Sequence, residues 1–203
     1  MYCRGHNIRI KIVEQFEVIP LGRFKLLNGQ TVISDAGNMD IIDEYTIFDC
    51  IDKNNPEHHE SIFCGKYVAE DLCSLSGCML PPLFNPLKTI NKGGSSGGTA
   101  VQQDTWNKTR KQLYNIVMIM IIYFKNINPE KPLFKIKLEL EQNANQFPKL
   151  YLVKSVNTII KHSGKSFSTI LSILSKNNNL RDFKYNLILN ILRENKIQQY
   201  LED

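Results

Sequence analysis

The sequence predicts an α+β protein in two parts, a β-rich N-terminal domain followed by a mainly α-helical C-terminal domain. Strand-like runs and turn residues dominate the first sixty or so positions, and a Gly/Ser-rich stretch from Lys92 to Gln103 (KGGSSGGTAVQQ) interrupts the chain. Leu113 to Phe124 then reads LYNIVMIMIIYF, with no polar side chain from Ile116 onward except the Tyr123 hydroxyl. A helix apolar on nearly every face is buried all round, so this stretch is expected to be the central helix of the second domain, with a buried strand as the alternative. Twelve residues rise only about 18 Å, too little to cross a hydrocarbon layer of about 30 Å. The Gly/Ser composition is that of a flexible chain, and the expected division is 1–91, a linker at 92–105, and 106–203.

In chain order, Ile8 to Val13 alternates apolar and basic (IRIKIV), as a half-buried strand does. A second strand-like segment, Phe16 to Ile19, stops at Pro20. Gly22 to Ile33 (GRFKLLNGQTVI) centres on Asn28-Gly29, a hairpin signal because a type I′ turn needs positive φ at both central residues. Ser34 to Glu44 is an acidic connection, Tyr45 to Ile51 a strand, Asp52 to Glu60 a polar turn, and Ser61 to Cys64 a short strand. Tyr67 to Leu75 has helical spacing through Val68, Leu72 and Leu75, with Gly77 ending it. Pro81, Pro82 and Pro86 keep the following strap extended, and its Leu80, Leu83, Phe84 and Leu87 are expected to lie along a surface groove.

In the second domain, Asn126 to Pro132 reads as a turn. Phe134 to Glu141 alternates strictly, which favours a strand, although Leu133, Ile136 and Leu140 would also line a helix face. Lys149 to His162 and Phe167 to Lys176 read as helices, the second capped by Ser163 or Ser166. After Asn177-Asn178-Asn179 the spacing predicts a last helix from Leu180 to about Leu201, with Asn179 and Asp182 in capping-box positions. Its inward stripe would be Phe183, Leu187, Ile188, Ile191 and Leu192.

The 203 residues are 42% hydrophobic, ample for packed cores. The net charge of +5 is unevenly placed: residues 106–203 carry 16 Lys/Arg against 7 Asp/Glu, so that half is +9 and residues 1–105 are −4. A basic half of this kind is either an electrostatic footprint for a polyanion or a solvated lysine-rich surface. The N-terminus shows no uninterrupted apolar segment and no small-residue cleavage site of a secretory signal. The five cysteines, Cys3, Cys50, Cys64, Cys73 and Cys78, are odd in number and contain no CxxC pair, so reduced thiols in the cytoplasm are expected. The 20 asparagines and frequent Ile and Lys fit a gene of low GC content, as in many mobile elements and some bacterial genomes.

Cys50, His58, His59, Cys64, Cys73 and Cys78 have the atom types for Zn²⁺ but lack the close ligand pairs of a structural site, so neither a metal nor another cofactor is expected. The run from Asp49 to Leu72, strand, turn, strand and then GKYVAEDL, resembles the second half of a treble-clef zinc module. Lys53 stands at the second knuckle position and Val68 where the helix cysteine would be, so the resemblance carries over Cys50 alone and implies a degenerate treble-clef-like fold without its metal. A thiol nucleophile, Cys64 with His58 or His59 as base and Glu60 as orienter, would need those groups within hydrogen-bond reach.

Ser163-Gly164-Lys165-Ser166 repeats the GKS of a P-loop ahead of a helix, but Ile159 stands where the motif needs glycine. Asp182-Phe183-Lys184 and Glu194-Asn195-Lys196 have the local spacing of a nuclease centre and also of ordinary helix-surface pairs. The Phe167–Lys176 and Leu180–Leu201 helices could form a helix-turn-helix presenting Asn178, Arg181, Lys184 and Tyr185 to nucleic acid, or an antiparallel helical hairpin. The expected function is non-catalytic binding of DNA or RNA by an accessory protein, with Lys108, Arg110, Lys111, Lys161, Lys165, Arg181, Lys184 and Tyr185 as contacts. The competing expectation is a protein-interaction adaptor that uses the acidic N-terminal domain and the Pro81–Leu87 strap. A Cys/His-dependent hydrolase is the third.

Overall fold

The computed structural model describes residues 1–88, 105–125 and 131–203. The expected linker at 92–105, apart from Thr105, and residues 126–130 of the expected turn lie outside the described residues. The chain forms two compact units, one of Met1–Asn85 with Phe124–Phe134 and one of Pro86–Tyr123 with Lys135–Asp203. The sheet lies in the first half of the chain and the second half is helical, so the α+β layout is as expected.

The first unit opens with a helix, α1 (His6–Gln15), where the IRIKIV alternation predicted a strand. Side-chain contacts decide this local choice: Arg9 Nη1 donates to the Cys3 carbonyl at 3.0 Å, and both Arg9 and His6 bind Asp71 of α2 (Lys66–Ser76). Strand β1 (Phe16–Lys25) runs through Pro20 and pairs antiparallel with β4 (Glu44–Asp52). The register shifts between Pro20 and Gly22, a bulge where the ladder accommodates a residue without an N–H.

Asn28-Gly29 does make a turn, closed by the Gln30 N–H on the Leu27 carbonyl at 3.0 Å, but it joins no hairpin. Gly29 has φ +79° and Asn28 is not in the positive-φ region, so the type I′ twist that pairs flanking strands is absent. Beyond the turn, β2 (Val32–Ile33) pairs with β3 (Asp40–Ile41). The tight hairpin lies further on, between β4 and β5 (Asn55–Gly65), where Asp52 faces Asn55 and its carboxylate accepts from the Asn54 N–H at 2.8 Å. Most of the expected polar turn is therefore strand.

Strand β6 (Leu83–Phe84) adds in parallel to β1, giving the order β5-β4-β1-β6. The treble-clef resemblance goes no further than the succession β4, β5, α2, because that hairpin is half of a four-stranded sheet. Helix α2 ends at Gly77, whose φ of +71° is the left-handed cap the sequence predicted. Cys3, Ile12, Phe16, Val18, Phe48, Cys50, Ile62, Cys64, Ala69, Leu72 and Cys73 form the core of this unit.

In the second unit α3 (Lys108–Phe124) is the expected central helix, buried without interruption from Ile116 to Ile122. Phe134–Glu141 is not a strand but part of α4 (Pro132–Gln142), since Leu133, Phe134, Ile136 and Leu140 are buried together on a helical face. That face also takes in Lys137, whose Nζ donates to Glu141 Oε2 at 2.7 Å while Tyr114 Oη of α3 donates to Glu141 Oε1 at 3.0 Å. Helices α5 (Leu150–His162) and α6 (Phe167–Ser175) fall as predicted, and Ser166 caps α6 by accepting from the Thr169 N–H at 3.0 Å.

The expected last helix is shorter, α7 (Asn186–Glu194). Residues 180–185 stay outside the helix, and the backbone at 179–181 is engaged elsewhere. Leu180 bridges Leu87, Lys88 N–H donates to the Asn179 carbonyl at 2.8 Å, and Arg181 N–H donates to the Pro86 carbonyl at 2.9 Å. Ten residues thus separate α6 from α7, and the helix-turn-helix geometry is not formed.

Candidate functional site

Of the eight expected nucleic-acid contacts, Lys108, Lys161, Lys165, Arg181 and Lys184 are exposed, while Lys111 and Tyr185 are half-buried. Arg110 is turned inward and only 2% exposed. Its Nε donates to the Leu140 carbonyl at 2.8 Å and its Nη2 to the Glu139 carbonyl at 2.6 Å. These belong to the last turn of α4, whose carbonyls have no intrahelical partner, so Arg110 serves the fold and cannot reach a phosphate. Burial holds its pKa below the usual arginine value.

The remaining basic residues gather in two places. Gln112 ties the first turns of α3 to the start of α7, its Nε2 donating to Asn186 Oδ1 at 3.1 Å and its Oε1 accepting from the Leu187 N–H at 2.9 Å. This brings the helix ends carrying Lys108 and Lys111 beside the segment carrying Lys184. Lys111 lies over the Trp106 ring, 4.7 Å from its centroid. The second group follows α5, whose exposed positions are Tyr151, Lys154, Thr158, Lys161 and His162, and Lys165 continues it in the turn to α6. Lys154, Tyr151 and His162 are not among the expected contacts. Their signal is the three- and four-residue spacing along a helix with no acidic residue, LYLVKSVNTIIKH.

Lys161, Gly164, Lys165 and Ser166 line a recess of about 330 Å³ with Tyr200, Glu202 and Asp203. It is not a phosphate cradle of the P-loop kind. The N–H groups of Phe167 and Ser168 already donate to the carbonyls of Tyr200 and Leu201, at 3.2 and 2.9 Å, and the Thr169 N–H is held by Ser166. The Thr169 hydroxyl donates to the Asp203 carboxylate at 3.1 Å, and hydrogen bonds from Ser166 and Thr169 hold the Asp203 pKa below the usual carboxylate range. Tyr185 stands edge-on to Phe167 at 5.4 Å, its phenol pKa raised by burial and by the charges of Glu202 and Asp203. Anion contacts here are thus left to the lysine side chains.

The Cys/His constellation does not converge. His58 and Cys64 lie six residues apart on one strand, about 20 Å at the rise of a β-strand. His59 is engaged by Asp49 at 3.0 Å, and His58 Nε2 lies 3.4 Å from Glu60 Oε1. Cys64 is fully buried and burial pushes its thiol pKa well up, the reverse of an activated nucleophile. Among the described residues no three His, Cys, Asp or Glu side chains come together as a metal site would require. Of the nuclease candidates, Asp182 and Lys184 sit between α6 and α7 and Glu194 ends α7.

The strap is not a free docking surface, because Phe84 and Pro86 are buried and Leu83–Phe84 pairs with β1. The first unit instead carries an apolar groove of about 710 Å³, lined by Met39, Ile41, Ile42, Gly65, Tyr67 and Val68 among others. Ile42, Tyr67 and Met39 are 95%, 84% and 72% exposed around it, and Asp40 and Asp43 flank Ile42. The local pattern does not announce the groove, since Met39, Ile41 and Ile42 sit between acidic residues in a short segment without clear periodicity.

Among the described residues no helix is long and apolar enough to cross a membrane. Comparisons of the chain with protein-family models, with curated proteins and with solved structures gave no match.

Proposed function

We propose that the protein binds the phosphate backbone of DNA or RNA through the helical unit, without catalysis. The observation that supports this reading is the solvent face of α5. Lys154, Lys161 and His162 lie along it with Tyr151, Lys165 extends the row, and the helix itself has no carboxylate; Glu139 of α4 accepts from the Tyr151 hydroxyl, and Glu202 and Asp203 line the recess beside Lys161 and Lys165. Exposed lysines positioned on a rigid helix meet phosphates as point charges and carry no sequence information, so the expected binding is sequence-tolerant and strongly salt-dependent. Lys108, Lys111, Arg181, Lys184 and Tyr185 extend the footprint on this reading, and Arg110 is withdrawn from it.

The test is binding of the full chain to single- and double-stranded DNA and RNA across a salt series. A steep fall in affinity with salt supports the proposal. Absence of binding at low salt overturns it.

The apolar groove favours a second reading, the protein-interaction adaptor, now moved from the strap to Met39, Ile42 and Tyr67. Contiguous exposed apolar surface on a monomer often marks an interaction site, and the exposed Asp40 suits a partner segment with a basic residue beside its apolar ones, whereas Asp43 is engaged by Lys25.

A further inference from the structure

We propose that Cys73 and Cys78 form a reversible dithiol–disulfide pair that takes a low-molecular-weight disulfide as its oxidant. Cys73 sits in the last turn of α2 and is buried, whereas Cys78 lies two residues beyond the helix end and is half-buried. The left-handed Gly77 folds the chain back so that residues five apart meet, and Cys78 Sγ donates to Cys73 Sγ at 3.0 Å. Ser76 Oγ lies 3.2 Å from Cys78 Sγ, fixing the thiol on its other side. The other three cysteines, Cys3, Cys50 and Cys64, are buried in the core. Cys78 therefore combines access from solvent with a second thiol within reach.

The chemistry follows from that asymmetry. The Cys78 thiolate, its proton lost to solvent, attacks one sulfur of the small disulfide, forming a mixed disulfide and releasing one thiol. Cys73 then loses its proton to solvent and attacks Cys78 Sγ, expelling the second small molecule as a thiolate that takes up a proton from solvent. Two protein thiols are oxidised and one disulfide is reduced to two thiols, so electrons and atoms balance. The product joins the last turn of α2 to the segment that leads into the strap, and excess small thiol reverses it. This pair is independent of the nucleic-acid reading.

The test is equilibration of the full chain in mixtures of oxidised and reduced glutathione, followed by acid quench, alkylation in denaturant and peptide mapping by mass spectrometry. The expected result is loss of two hydrogens and protection of two of the five thiols, both mapping to Cys73 and Cys78, with full recovery in reduced glutathione. Cys73→Ser should instead hold a glutathione adduct on Cys78, and should that variant fail to fold, the wild-type map decides alone. A stable adduct on wild-type Cys78 with Cys73 still alkylated, a disulfide between other cysteines, or five alkylated thiols would each overturn the proposal.

Discussion

Arg110 Nε donates to the main-chain carbonyl of Leu140 across 2.8 Å, so a guanidinium from the first turn of α3 serves the last turn of α4. The positive charge meets the negative end of that helix, and with Nη2 on Glu139 it satisfies two carbonyls. Arg110→Met should leave those carbonyls unpaired and cost about 2–4 kcal/mol. The check is the midpoint of urea unfolding. Nucleic-acid affinity, measured where the variant is still folded, should not change.

Charge reversal on α5 should behave oppositely. Lys154→Glu with Lys161→Glu, both exposed, should lower the unfolding midpoint only modestly, through Lys161, which sits in the last turn of α5, lies 5.4 Å from the Tyr200 ring centroid and lines the recess with Glu202 and Asp203. It should weaken binding to all sequences alike and flatten the dependence of log affinity on log salt, by about one unit of slope for each phosphate contact removed. Fluorescence anisotropy at several salt concentrations reads both quantities. Affinity equal to wild type would exclude α5 from the interface.

Asp71 couples the fold to pH. Burial raises its pKa, but the hydrogen bonds and charges of Arg9 and His6 outweigh this and hold it below the usual carboxylate value. A carboxylate with a lowered folded-state pKa stabilises the protein above its unfolded value, about 3.9, and loses that contribution as pH falls through the folded value. The stability gap between wild type and Asp71→Asn should therefore be full near neutral pH and close below about pH 4. Denaturant titrations across this range would show it, and a gap that persisted at lower pH would contradict the assignment.

Gly77 tests the helix cap. Its φ of +71° suits glycine, and a Cβ there would meet nothing within 4 Å, so the cost of Gly77→Ala is conformational alone. The expected loss is about 1 kcal/mol, seen as a lower thermal midpoint.

The sequence made the two-part architecture legible through particular residues. The unbroken apolar run in α3 could only be buried, Gly77 and Ser166 marked helix ends by their own chemistry, and Leu150 to His162 repeated its apolar positions at helical spacing. Elements decided by distant partners were misread. Ile8 to Val13 became a helix because Arg9 and His6 meet Asp71, sixty-odd residues away. Asn28-Gly29 turned without pairing because β1 found β4. Leu180 and Arg181 were held extended by the strap, which dissolved the expected helix-turn-helix. In the basic set, charge was visible but direction was not: Arg110 faces inward, while Lys154, outside the expected contacts, faces solvent.

Tyr114 and Glu141 act on α4 in a way that burial alone does not describe. The helix carries alternating apolar and charged residues from Phe134 to Glu141, so turning it by one residue, about 100°, would still offer α3 some apolar side chains. The Lys137–Glu141 pair lies within the helix and would turn with it, but Glu141 would leave Tyr114 of α3, whose buried hydroxyl would lose its acceptor. Each misrotated packing therefore carries an unsatisfied buried hydroxyl. The Tyr114–Glu141 bond works as a registration mark: it adds little to the depth of the native minimum and raises the neighbouring ones.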